Sequence, residues 1–126
     1  MTWASYKGHD QILSLLLTNG GDPSSIASFG MAPILWAAGR GHAKCVKILM
    51  DHGADVQKSD KFGSTALYWA CRKGHIECVK LLLRADTDPN AVGANGQSPI
   101  IVSSKMAHVN CVEELLKDRG LNKLYK

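Results

Sequence analysis

Histidine recurs at positions 9, 42, 75 and 108, a constant step of 33 residues, and whole blocks of sequence recur with it. Gly8, Gly41 and Gly74 precede three of these histidines. The runs that follow align as Ile12-Leu13-Ser14-Leu15-Leu16-Leu17, Cys45-Val46-Lys47-Ile48-Leu49-Met50, Cys78-Val79-Lys80-Leu81-Leu82-Leu83 and Cys111-Val112-Glu113-Glu114-Leu115-Leu116. A fixed period of this size, carried by blocks rather than single residues, specifies a row of small units that bury their apolar faces on one another. Such an array has no deep central cleft, so function is to be sought on its outer faces.

The stretch from Phe62 to Ala94 shows what one unit does. Asp60-Lys61-Phe62-Gly63 reads as a turn, and Gly63 recurs as Gly30 and Gly96, where a side chain would hinder the backbone. Thr65 is placed to cap the helix that follows. In that helix Leu67, Ala70 and Cys71 fall at i, i+3 and i+4, a narrow stripe of small apolar residues that lets a neighbouring helix come close. Gly74-His75 ends it. A second helix is predicted from about Ile76 to Arg84, with Cys78, Val79, Leu81, Leu82 and Leu83 forming an apolar face broad enough to be covered from both sides. Asp86 to Asn90, with Pro89, then leads to the next turn.

The recurring pattern, Gly63-Ser64-Thr65-Ala66-Leu67 through Lys73-Gly74-His75 to Cys78-Val79-Lys80-Leu81-Leu82-Leu83, resembles the ankyrin repeat over nearly the whole chain. The resemblance implies an all-α solenoid of stacked helix-turn-helix units joined by β-hairpin-like loops. The family's Thr-Pro-Leu-His tetrapeptide is altered here to Met31-Ala32-Pro33-Ile34-Leu35, Ser64-Thr65-Ala66-Leu67-Tyr68 and Gln97-Ser98-Pro99-Ile100-Ile101. The equivalent of His75 ties the loops together in such arrays. Ile34 to Ala43 and Tyr68 to Lys80 further resemble the N-terminal repeats of the kinase D-interacting, ankyrin repeat-rich membrane-spanning scaffolds, which implies a parent protein tethered to the cytosolic side of a membrane. Leu82 followed by Asp88-Pro89-Asn90 is similar to sites hydroxylated on asparagine in ankyrin repeats, with Pro89 where an aliphatic residue is usual.

Register sets residues 1–28 as a partial unit, 29–61 and 62–94 as complete ones and 95–126 as a degenerate one, all in one continuous domain. Met1-Thr2-Trp3-Ala4 aligns with Leu67-Tyr68-Trp69-Ala70, so the chain is expected to open inside a first helix, as if cut from a longer array. Glu114 takes the Leu81 position and Met106 the Lys73 position, and Leu121 to Lys126 do not read as a polar cap. Both ends are therefore expected to expose apolar surface or fray.

With 45% hydrophobic and 21% charged residues the 126-residue chain has the balance of an ordinary globular protein, and no segment reads as a membrane span or secretion signal. The expected location is the cytoplasm and the expected state a monomer. Three of the four cysteines, Cys45, Cys78 and Cys111, share one column of the repeat, which suits small buried side chains in a reducing compartment better than disulfides or zinc. Histidines one repeat apart cannot share an ion, given zinc–nitrogen distances of about 2.1 Å. No cofactor, metal or catalytic group is expected.

Two columns stand out from the framework. Trp3, Trp36 and Trp69 share one slot, and Lys7, Arg40 and Lys73 share another four residues on, hence on the same face of each first helix. In ankyrin arrays the first helices and hairpin tips line a concave groove that grips partners. The resemblance therefore points to Trp36, Arg40, Trp69, Arg72 and Lys73, with Phe29, Met31 and Phe62 at the tips, as partner-binding residues. Indoles offer rigid contact area and cations offer charge-assisted hydrogen bonds, a combination suited to an acidic or phosphorylated peptide. Two plainer arrangements remain open: the indoles pack between neighbouring helices, and the phenylalanines anchor one hairpin against the next. A different function, single-stranded nucleic acid bound by base stacking and phosphate contacts, is the alternative. The net charge of +4 is modest and permits an acidic partner without demanding one.

Overall fold

Among the described residues eight short α-helices follow from the repeat's punctuation: α1 Thr2–Lys7, α2 Asp10–Thr18, α3 Pro33–Arg40, α4 Ala43–Asp51, α5 Ala66–Lys73, α6 Ile76–Arg84, α7 Pro99–Lys105 and α8 Val109–Lys117. They are seen in a computed structural model that describes residues 1–85 and 87–117. The expected cap at Thr65 is present, its hydroxyl accepting from the Tyr68 N–H at 3.2 Å, and Ser98 plays the same part for Ile101 at 3.4 Å. Pro33 and Pro99 begin α3 and α7, where a missing N–H is harmless. The second helix of the reference unit has the predicted bounds, Ile76–Arg84.

Each first helix ends on a left-handed glycine, Gly8, Gly41 or Gly74. In the last unit Ala107 stands in that slot with φ 61°, a conformation that costs an L-residue about 1–2 kcal/mol. The odd-numbered helices form one layer and the even-numbered helices a second, with each hairpin packed on the next. Leu67, Ala70 and Cys71 are fully buried between neighbouring first helices, while Cys78, Val79 and Leu82 do the same in the second layer. Close packing needs the small residues, because a larger side chain at Ala37 or Ala70 would hold the helices apart.

The loops close like hairpins. The N–H of Ala27 donates to the Met31 carbonyl, that of Asp60 to Ser64 and that of Gly93 to Gln97, at 2.9, 2.9 and 2.7 Å. Ser59 and Thr65 form an isolated antiparallel bridge. Successive tips are joined as well, since the Lys61 N–H donates to the Phe29 carbonyl at 2.9 Å.

The histidine column forms the joint between units. His42 Nε2 donates to the carbonyl of Tyr6, and His108 Nε2 to that of Arg72, each at 2.9 Å. His75 hydrogen-bonds the Gly39 backbone in the same way. The expected tie is thus a bond to the preceding unit, 36 residues back. Apolar surface is exposed at both ends: Trp3, Ile12 and Leu15 at one, Met106, Val109 and Leu116 at the other. The expectations for Asp86 and for Leu121 to Lys126 lie outside the described residues.

Candidate functional site

An open cavity of about 510 Å³ lies along the first helices and hairpin tips where the second and third units meet, with Tyr6 of the first unit also in its lining. Its rim is made by the two hairpin tips. Phe29 and Phe62 project there at 65% and 62% exposure. Trp36 and Trp69 lie below them, both half-buried and packed against the core, and Arg40, Arg72 and Lys73 complete the lining. Seven of the eight residues singled out from the sequence therefore line one groove with side chains accessible at least in part.

Met31 is the correction. Its side chain is 7% exposed and belongs to the core, forming floor rather than tip. The alternation of the hairpin explains it: Phe29 stands at the crest of the turn, and two residues on the chain has already turned inward towards α3. Ser64, the equivalent position in the next unit, is buried for the same reason.

The indole column does not behave as one set. Trp3 is 65% exposed, while Trp36 and Trp69 are wedged between neighbouring first helices and still face the groove. The packing and groove arrangements therefore coexist. Trp69 is fixed by Asp60, whose Oδ2 accepts its Nε1–H at 2.9 Å. The other carboxylate oxygen accepts from the N–H groups of Phe62 and Ser64, at 2.9 and 3.0 Å, and so shapes the tip. One buried acid thus sets both the Phe62 turn and the Trp69 ring. Among the described residues Trp36 has no such partner, because the residue one repeat before Asp60 is Ala27.

The cations also pair differently from the simple four-residue spacing. Arg40 lies over the ring of Tyr6, 4.6 Å from its centroid, and Tyr6 meets Trp36 edge-on at 5.2 Å. Arg72, rather than Lys73, covers Trp69, at 5.6 Å. Only Lys7 covers the Trp of its own column, Trp3, at 5.1 Å. Among the described residues the ion pairs are Lys47–Asp51 and Lys117–Glu114, both away from the groove. Arg40, Arg72 and Lys73 thus face the cavity without a carboxylate partner, since the oxygens of Asp60 are held by the three donors named above.

Tyr6 and Asp60 are the lining residues that the repeat columns did not reveal. Tyr6 shares its slot with Gly39 and Arg72, and Asp60 shares its slot with Ala27 and Gly93, so neither forms a column of like chemistry. The signal that was available is Asp60 itself, a lone acid two residues before an exposed phenylalanine.

Thiol chemistry is not part of this site. Cys45, Cys71, Cys78 and Cys111 are free and buried, and burial pushes Cys78 up to about 12 and Cys71 further still. Among the described residues no cluster of His, Cys, Asp and Glu is arranged to hold a metal, and no helix is long and apolar enough to cross a membrane.

Comparison with curated proteins gives no match. The family model for ankyrin repeats in three copies matches residues 1–93 and again 55–124, which together take in nearly the full length. With that match, the 33-residue period and the stacked helical hairpins, the chain belongs to the ankyrin-repeat family.

Proposed function

We propose that this chain is a non-enzymatic adaptor module that grips an acidic segment of a protein partner in the groove between its second and third units. Ankyrin repeats are generally protein–protein interaction modules, and their domains are typically without catalytic activity. The observation that carries the particular reading is the co-location along one cavity of two exposed phenylalanines, two half-buried indoles and three cations that have no carboxylate partner among the described residues. Exposed aromatic anchors beside arginine are the composition of binding hot spots. That it works as a monomer in the cytoplasm, within a larger signalling scaffold held at a membrane, is part of the same proposal and rests only on the resemblance read from Ile34 to Ala43 and Tyr68 to Lys80.

Single-stranded nucleic acid gains no support from the indole column that suggested it. Trp36 and Trp69 are half-buried and packed against the core, and cations lie over Trp3 and Trp69, so the column is no ladder of open faces for stacked bases.

A photo-crosslinking amino acid placed at Phe62, and in a second protein at Lys47 on the outer layer, tests the assignment in cell extract. Protein adducts concentrated at position 62 are expected. Equal labelling at position 47, or adducts that are RNA, would overturn it.

A further inference from the structure

Resting on the reading that this groove docks a protein partner, we propose that it recognises a short unphosphorylated segment with one bulky apolar side chain flanked by aspartate or glutamate. The apolar group lodges between Phe29 and Phe62, and the carboxylates meet Arg40 and Arg72.

The backbone at Phe29 is the first argument. Phe29 and Gly30 both have positive φ, 62° and 71°, as do Asn95 and Gly96 at 60° and 69° in the equivalent turn of the last unit. A two-residue turn of this kind favours Asn-Gly, which is what the last unit carries. A bulky residue with positive φ is an outlier whose backbone is strained. Burial does not offset that strain, because Phe29 is among the most exposed large side chains of the molecule. A strained and solvated phenyl group is explained by contact with something outside the chain.

The second argument is the extent of the site. In the last unit Asn95 replaces Phe62, Val102 replaces Trp69 and is buried, and Lys105 replaces Arg72. The aromatic pair at the tips therefore occurs once, and it specifies a single anchor rather than a ladder of equivalent contacts along the array.

Charge decides what flanks the anchor. Among the described residues Arg40 and Arg72 have no carboxylate partner, and the acid that lines the cavity, Asp60, is held by internal donors. The two guanidinium groups rest on different rings, Tyr6 and Trp69. They suit two separate carboxylates better than one phosphate, which is bound most strongly where several donors converge. A methylated ammonium ligand, for which an aromatic-lined cavity is otherwise suited, is disfavoured because Arg40, Arg72 and Lys73 line the same cavity and would repel it.

The test is selection of random short peptides displayed on phage against the intact chain, followed by direct binding of a synthetic copy of the enriched peptide. The expected consensus has one Leu, Ile, Phe or Trp with Asp or Glu on both sides. Phe62→Ala and Phe29→Asn should each weaken binding of that peptide by roughly tenfold or more, the loss typical of an interface anchor. Phe29→Asn should melt at or above the native temperature, so that lost binding is not lost folding. Arg40→Ala with Arg72→Ala should abolish the preference for acids while the apolar preference persists. Enriched peptides that are neutral or basic, or synthetic copies that bind at least tenfold more tightly once phosphorylated, would overturn this inference and leave the groove as a docking site. No enrichment above an uncoated surface would remove the docking reading itself, and this inference with it.

Discussion

The imidazole of His75 fills the space that a side chain on Gly41 would need: a β-carbon there would stand 2.6 Å from His75 Nδ1. His42 lies against Gly8 and His108 against Gly74 at the same separation, so one joint is used at three successive interfaces. The glycine both ends its helix with left-handed backbone and makes room for the ring that ties the next unit down.

Gly41→Ala is accordingly expected to destabilise the protein by about 3 kcal/mol, combining left-handed strain with the overpacked ring. Gly53→Ala is the control. Gly53 also has positive φ, 84°, but a β-carbon there meets nothing within 4 Å, so it should lose only the backbone part, about 1–2 kcal/mol. Urea unfolding of the two variants side by side measures the difference. Equal losses would show that the ring seat is not what makes the position sensitive.

Asp60→Ala should cost about 3 kcal/mol, because it strands one buried donor, the Ser64 N–H, and two part-buried ones, the Phe62 N–H and the Trp69 Nε1–H, together. Chemical denaturation reads the loss, and tryptophan emission should shift as the Trp69 indole is released. A change below about 0.5 kcal/mol, the scale of an ordinary surface substitution, would contradict the role given to this carboxylate.

Acidification should weaken the fold through His75. Burial holds its pKa below the usual value of 6.5, assisted by His42, Lys73 and His108, and the Gly39 backbone bond offsets this only in part. The unfolded chain then binds more protons than the folded one as pH falls through the ordinary histidine range, so this contribution is complete above about 6.5 and is lost below it. The urea midpoint should therefore drop between neutral and mildly acidic pH, and His75→Gln should flatten that slope. An unchanged slope in the variant would assign the effect elsewhere.

The thiols should be inert in the native state. Burial raises all four, Cys78 to about 12, and an elevated pKa leaves almost no thiolate at mildly alkaline pH. Ellman's reagent should give no rapid reaction until denaturant is added and should then titrate the full complement. Prompt modification of the folded protein would show that the second helices open readily.

Much of the framework was legible because it depends on local spacing. Thr65 as a cap, Gly63 in a turn and a helix over Ile76–Arg84 are consequences of nearest neighbours along the chain, and the structure has each of them. Met31 was misread as a tip because a step of two residues across a tight turn reverses the side that a side chain faces, and composition does not record that reversal. Tyr6 beneath Arg40 and Asp60 beside Trp69 were missed because like-with-like columns reveal what every unit shares, and these contacts are made by one unit alone.

By itself the sequence determined the unit, its length, its two helices and the need to stack, since a repeated apolar pattern leaves each hairpin unable to bury its own face. Only the stacked structure decided which side chains remain at the surface and which cation meets which ring. Those outcomes depend on distances between residues about a repeat apart in the chain, as with His42 on Tyr6 and Arg40 over that same ring, and spacing along the sequence does not encode them.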